Sequence, residues 1–205
     1  MLLCAVTNRR LLAETEAERR ESLLAHARQW AEGGVDYIQI REKDLPLPEL
    51  QSLAADIVSA VRAEKAKTRV LVNGPAQIAL AASADGVHLP AEAGRQALTA
   101  AENAWSRSGR EALISVSCHS TEEIRQAYGA ALLLFAPVFE KVTDTRILRG
   151  QGLAPLREAC RAAGEIPVLA LGGITADNAP ACVDAGAAGI AAIRLFLTDA
   201  WHALR

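Results

Sequence analysis

Gly34-Val35-Asp36-Tyr37-Ile38-Gln39-Ile40-Arg41-Glu42-Lys43-Asp44 is a glycine, a short apolar run and an abrupt end in charge. Only glycine takes a left-handed helix terminus without steric cost, so Gly34 closes a preceding helix and hands the chain to a strand. Strand side chains alternate between two faces, which puts Gln39, Arg41 and Lys43 on one face and Ile38 and Ile40 on the other. A solvated surface strand could carry such charges harmlessly. A parallel strand covered on both faces could not, and there a cationic face points to a ligand.

The same turn recurs at Gly129-Ala130-Ala131-Leu132-Leu133 and Gly186-Ala187-Ala188-Gly189-Ile190, so the apolar runs can be counted along the chain. Strands are predicted over residues 3–7, 37–41, 69–73, 86–89, 112–118, 131–138, 167–172 and 189–194, each followed by a helical pattern or room for one. Eight such units in 205 residues imply right-handed parallel crossovers and a closed (βα)8 TIM barrel of the α/β class, one domain over residues 1–205. A doubly wound open sheet is the runner-up.

Composition agrees with a barrel. The chain is 51% hydrophobic but only 4% aromatic, and its Ala, Leu, Val and Ile suit helices packed closely over a buried sheet. A formal net charge of -2 gives no field to gather a polyanion, so neither nucleic acid nor an acidic membrane is an expected partner. A small anion held by a few local donors remains. Cys4, Cys118, Cys160 and Cys182 form neither a CxxC pair nor a zinc-like cluster, and read as small buried residues in a reducing compartment. Met1 leads into the first apolar run with no basic leader, and no apolar stretch reaches membrane-spanning length, so a cytoplasmic location is expected. The sequence leaves open whether the chain is a homo-oligomer.

In such a barrel chemistry sits where strands end, so polar residues at strand C-termini are the candidates. Ser115, Ser117 and His119 share one parity and should face the mouth, while Cys118 points the other way and cannot pair with His119 as a nucleophile. Ser120-Thr121-Glu122-Glu123 has capping-box form just after His119, and Thr175 is a candidate cap further on. His119 is therefore the expected proton carrier. His88, inside a shorter strand, reads as structural, and His26 and His202 lie on helices. Leu171-Gly172-Gly173-Ile174-Thr175 follows one strand and is expected to open a helix, and Ile193-Arg194 ends the last strand. Glycine amides, a helix N-terminus and Arg194 would suit a phosphate monoester. Residues 139–152, with Lys141, Arg146, Arg149 and glycines around Gln151, have the composition of either a lid over an anion or a solvated loop.

Five segments in order now carry a resemblance: the 38–44 segment, Ala84-Asp85-Gly86-Val87-His88-Leu89, Ser115-Val116-Ser117-Cys118-His119-Ser120, Ala136-Pro137-Val138-Phe139 and Leu171-Gly172-Gly173-Ile174-Thr175. Over essentially its whole length the chain resembles the thiamine phosphate synthase and thiazole tautomerase family, and is closer to the TenI-like tautomerase branch. The resemblance implies a (βα)8 barrel. It also implies, for a synthase, Mg2+ held by one carboxylate after the Asn that ends strand three and another after the strand-four motif. Those positions are Gly74 and Ala93. Glu92 or Asp44 could substitute only by a change of direction as well as distance. The resemblance therefore favours a tautomerase that needs no cofactor, with a small phosphorylated thiazole as its partner. His119 would move the proton, Arg41 grip the substrate carboxylate with Lys43 beside it, and Gln39, Asn73 and Ser117 contact substrate. Gly172, Gly173, Ile193 and Arg194 would hold phosphate. A synthase with a relocated Mg2+ site and a catalytically silent phosphate-binding barrel are the alternatives.

Overall fold

The structure is a computed structural model and describes residues 1–142 and 147–205. Strands β1 (Leu2–Val6), β2 (Tyr37–Ile40), β3 (Arg69–Asn73), β4 (Gly86–Leu89), β5 (Leu113–Cys118) and β6 (Leu132–Phe135) precede a short hairpin, β7 (Lys141–Val142) and β8 (Ile147–Leu148). Two further strands, β9 (Val168–Leu171) and β10 (Gly189–Ala192), complete the set. Between them lie α1 (Glu16–Glu32), α2 (Leu47–Ala63), α3 (Ala76–Ala81), α4 (Gly94–Arg107), α5 (Thr121–Gln126), α6 (Leu153–Ala163) and α7 (Ala179–Asp184). The parallel strands close in the order β1-β10-β9-β6-β5-β4-β3-β2, so the open-sheet runner-up falls and the (βα)8 barrel stands.

Alternation divides the apolar residues into two layers. Ile38, Ile40, Val70, Val72, Val87, Ile114 and Val116 point outward and pack with Leu23, Trp30, Leu53, Ile57 and Trp105 of the helices. Each helix supplies one stripe: α1 buries Leu23, Ala27, Trp30 and Ala31, spaced for a single helical face. The opposite parity fills the barrel interior, where Cys4, Val6, Leu132, Leu134, Leu169 and Ala191 form a separate cluster. Every one of these comes from β1, β6, β9 or β10. The register sets Gln39 beside Leu71, Asn73 beside His88, and His88 beside Ser115, so the same inward parity on β2 to β5 is largely polar. The interior is thus apolar on one side and polar on the other.

Most differences from the expected elements are at ends. The predicted 131–138 strand stops at Phe135, two residues before Pro137, which has no N–H to give a ladder. Gly34, Gly129 and Gly186 have φ of 75, 97 and 103°, as the repeated helix-to-strand turn requires. The helix expected to open at the Gly172-Gly173 turn begins only at Ala179, after a turn over 176–178. Thr175 is not the N-cap of α7 but caps the turn that leads into it, its Oγ1 accepting the Asn178 N–H at 3.3 Å and its own N–H donating to Asn178 Oδ1 at 2.9 Å.

Candidate active site

His119 stands one residue beyond β5, exposed at the C-terminal mouth. Its backbone N–H donates to Glu123 Oε2 at 2.5 Å, and its Nδ1 lies 2.7 Å from the Ala136 carbonyl oxygen. A carbonyl only accepts, so Nδ1 carries a proton and the neutral ring keeps its lone pair on Nε2. The Ala136 oxygen also receives Gln151 Nε2 at 3.1 Å. Ser120 caps α5 through the Glu123 N–H at 3.2 Å, as its motif predicts. The Glu123 carboxylate reaches His119 instead of closing the box on Ser120, so the cap that starts the helix also fixes the histidine.

The cationic edge is built by a buried network. Arg9 and Glu42 are each 3% exposed, although both are charged. Glu42 accepts the Thr7 hydroxyl at 2.5 Å, the Arg9 N–H at 3.1 and 3.2 Å, and Arg9 Nη1 at 3.0 Å. Arg9 also grips Asp44 through two bonds of 2.9 and 3.0 Å, and donates from Nε to Glu16 at 2.5 Å. Thr7 Oγ1 in turn accepts the Arg41 backbone N–H at 2.9 Å. Glu42 thereby faces β1, while Arg41 lies near enough for its charge to act on His88 in the interior. Arg41 is half-buried, and burial pulls its pKa down while Glu42 opposes that shift. Lys43 is exposed in the turn beyond β2, near enough for its charge to act on His88.

His88 has the buried, satisfied setting that its structural reading from sequence describes. It is 2% exposed, and its ring bridges Ser115 Oγ and Ser117 Oγ, each at 2.8 Å. Burial, and then the charges of Arg41 and Lys43, hold its pKa down at about 3, so it is neutral at physiological pH. Gln39 is buried in the same interior with Nε2 unpartnered among the described residues. Asn73 is half-buried beside His88 in the register. Cys118 lies in the outer layer, fully buried, with its thiol pushed up to about 12 by burial first, which excludes it as a nucleophile at neutral pH.

Gly172 and Gly173 follow β9 with φ of 99 and 66°. A Cβ on Gly172 would meet Pro137 Cα at 2.8 Å, and one on Gly173 would meet Phe139 Cβ at 2.8 Å, so only glycine fits against this segment. His119 and the Gly-Gly turn consequently share one support, the Ala136–Pro137 link. With α7 starting at Ala179, the helix dipole expected at the turn is displaced from it. Ile193 packs on the interior cluster, and Arg194, exposed, begins a 3-10 turn over Arg194–Leu197. Of the predicted lid, the root is pinned: Gln151 and Gly152 N–H groups donate to Pro137 and Val138 at 2.9 and 2.8 Å. Arg146 lies outside the described residues.

The donor set does not suit Mg2+. Gly74 and Ala93 bring no carboxylate, both Asp44 oxygens are on Arg9, and Glu92 is exposed on a 3-10 turn over Ala91–Ala93. Among the described residues no three His, Cys, Asp or Glu side chains are grouped to hold a metal. No helix of the described residues is long and apolar enough to cross a membrane.

A closed barrel with a cationic, hydrogen-bonded mouth at its strand ends is the architecture of an enzyme for small molecules. Residues 3–196 match the family model described as thiamine monophosphate synthase (TMP-TENI). The chain belongs to that family and is an enzyme of thiamine biosynthesis. It is 34% identical over 197 residues to "Putative thiamine-phosphate synthase 2" of Aquifex aeolicus, covering 95% of this chain and 97% of the relative. It is 40% identical over 169 residues to a putative thiamine-phosphate synthase of Geobacter sulfurreducens, covering 82% and 76%. The solved thiamine phosphate pyrophosphorylase of Pyrococcus furiosus superposes with a TM-score of 0.75 at 30% identity, covering 98% of this chain and 90% of that one.

Proposed function

We propose that this enzyme is a metal-independent thiazole tautomerase, an isomerase that shifts a proton within a carboxylated thiazole phosphate so that the ring becomes aromatic. The observation that carries this reading is the loss of the carboxylate pair: glycine and alanine stand where the family resemblance puts the metal ligands, and Asp44 is committed to Arg9. A proton shift needs only a base, a cation for the carboxylate and an anchored phosphate. His119 Nε2 is the base, held by the Nδ1–H bond to Ala136. Arg41 grips the carboxylate with its planar guanidinium, and Lys43 adds charge at the same edge. Gln39, Asn73 and Ser117 contact the ring, and the amides of Gly172, Gly173 and Ile193 hold the phosphate beside Arg194. The working location is the cytoplasm.

The relatives' names favour a second reading, thiamine phosphate synthase, a transferase that would need Mg2+ held elsewhere. One experiment separates the two. Purified protein is given carboxythiazole phosphate, and aromatisation is followed by ultraviolet absorbance with and without EDTA. Equal rates in both support the tautomerase. Pyrophosphate released only with Mg2+ from a pyrimidine diphosphate and a thiazole phosphate, with no aromatisation, makes it a synthase. Binding without either reaction makes it a silent phosphate-binding barrel.

A further inference from the structure

His88 lies between two hydroxyls, and its neutral ring must donate at one nitrogen and accept at the other. Ser115 is 0% exposed, and His88 Nδ1 is the one partner of its hydroxyl among the described residues. If Nδ1 donated, the Ser115 proton would be stranded in a dry interior with no acceptor. If Nδ1 accepts, Ser115 donates to it and is satisfied. The ring is then protonated on Nε2 and donates to Ser117, which frees the Ser117 proton. Ser117 is half-buried, two residues nearer the mouth than Ser115 and two before His119. The depressed basicity of His88 beside Arg41 and Lys43 keeps one ring nitrogen able to accept.

We propose that Ser115 and His88 form a relay of fixed direction that makes the Ser117 hydroxyl a hydrogen-bond donor aimed at an acceptor atom of the bound ligand. Ser115 and His88 are positioning residues, and Ser117 makes the contact. No proton is transferred; the relay sets which way each bond points. Gln39 Nε2 adds a second unengaged donor, and Arg41 and Lys43 can only donate. Ligand atoms facing β2 to β5 are therefore acceptors. In the thiazole reading above, on which this ligand half rests, they are the carboxylate and ring heteroatoms.

Heteronuclear NMR of the imidazole nitrogens, with the His88 signals identified by their loss in His88→Gln, reads the tautomer without any ligand. The expected ring is neutral and protonated on Nε2 at neutral pH, and Ser115→Ala, which removes the donor to Nδ1, leaves it Nε2-protonated but moves the Nδ1 signal to that of an acceptor nitrogen with no hydrogen bond. A dominant Nδ1-protonated ring or an imidazolium in the unmodified chain overturns the relay, as does an unchanged spectrum in Ser115→Ala. Calorimetric titration with carboxythiazole phosphate tests the contact. Affinity should fall about tenfold in Ser117→Ala and less in Ser115→Ala, with no further loss in the double variant. Equal affinities in all four proteins overturn the donor role of Ser117. Failure of the unmodified chain to bind overturns the thiazole reading and the ligand half with it, while the nitrogen spectrum decides the relay independently.

Discussion

His119→Ala is expected to lower turnover of carboxythiazole phosphate about 10²–10⁴-fold, the usual contribution of one positioned acid–base group, while the affinity for the phosphate end stays nearly unchanged. Single-turnover kinetics beside a binding titration separate the two, and comparable turnover in the variant removes His119 from the mechanism. Cys118, adjacent in sequence, provides the contrast. Its buried thiol should resist alkylation in the native protein at neutral pH, and Cys118→Ala should keep turnover; rapid modification of Cys118 in folded protein contradicts its placement. Parity was enough to separate these neighbours from sequence, because alternation is local. It could not reveal His88, whose partners lie 27 and 29 residues away on β5 and become neighbours only through the strand register. A histidine flanked by Val87 and Leu89 looks like any core residue until the register is known.

The β1 and β2 ends are locked together by residues 33 to 35 positions apart, and this is the element that presents Arg41. Arg9→Leu leaves the Glu42 carboxylate buried without its guanidinium, so a loss of about 3–5 kcal/mol is expected, the usual cost of breaking a buried pair from one side. Adding Glu42→Gln removes the stranded charge and should recover part of that loss. Urea unfolding of the three proteins checks it, and a double variant no better than Arg9→Leu alone argues that packing, not charge, dominates. The sequence made the barrel strands legible because each is a short apolar run, with a glycine shortly before β2, β5, β6, β9 and β10. It misplaced the start of α7, where Gly172-Gly173-Ile174-Thr175 has the look of a helix entrance but is spent on packing against Pro137 and Phe139. Nothing local to residues 171–175 discloses that neighbour, which arrives from β6.

Across the whole molecule the barrel interior is divided, apolar along β1, β6, β9 and β10 and largely polar along β2 to β5. Burying a titratable group in the polar half ties stability to pH. The His88 ring has a folded pKa of about 3 against about 6.5 in an unfolded chain, so the unfolded state binds the proton first. Its contribution is complete above about pH 6.5 and is lost as pH falls toward 3, with a slope approaching about 1.4 kcal/mol per pH unit for one proton. Asp44 and Glu16 behave differently. Hydrogen bonds from Arg9 hold both carboxyls below their ordinary values, so their contribution is present above about pH 4.5 and is lost as pH falls below it. Between about pH 6 and 4.5 the slope assigned to His88 therefore appears before that of these two carboxylates. Urea unfolding at several pH values in this window should give falling stability for the unmodified chain and a flatter profile for His88→Gln, whatever the absolute stability of the variant. Parallel profiles would mean that His88 is protonated in the folded barrel, and the division of its interior into a neutral, hydrogen-bonded wall and an apolar one would fall with it.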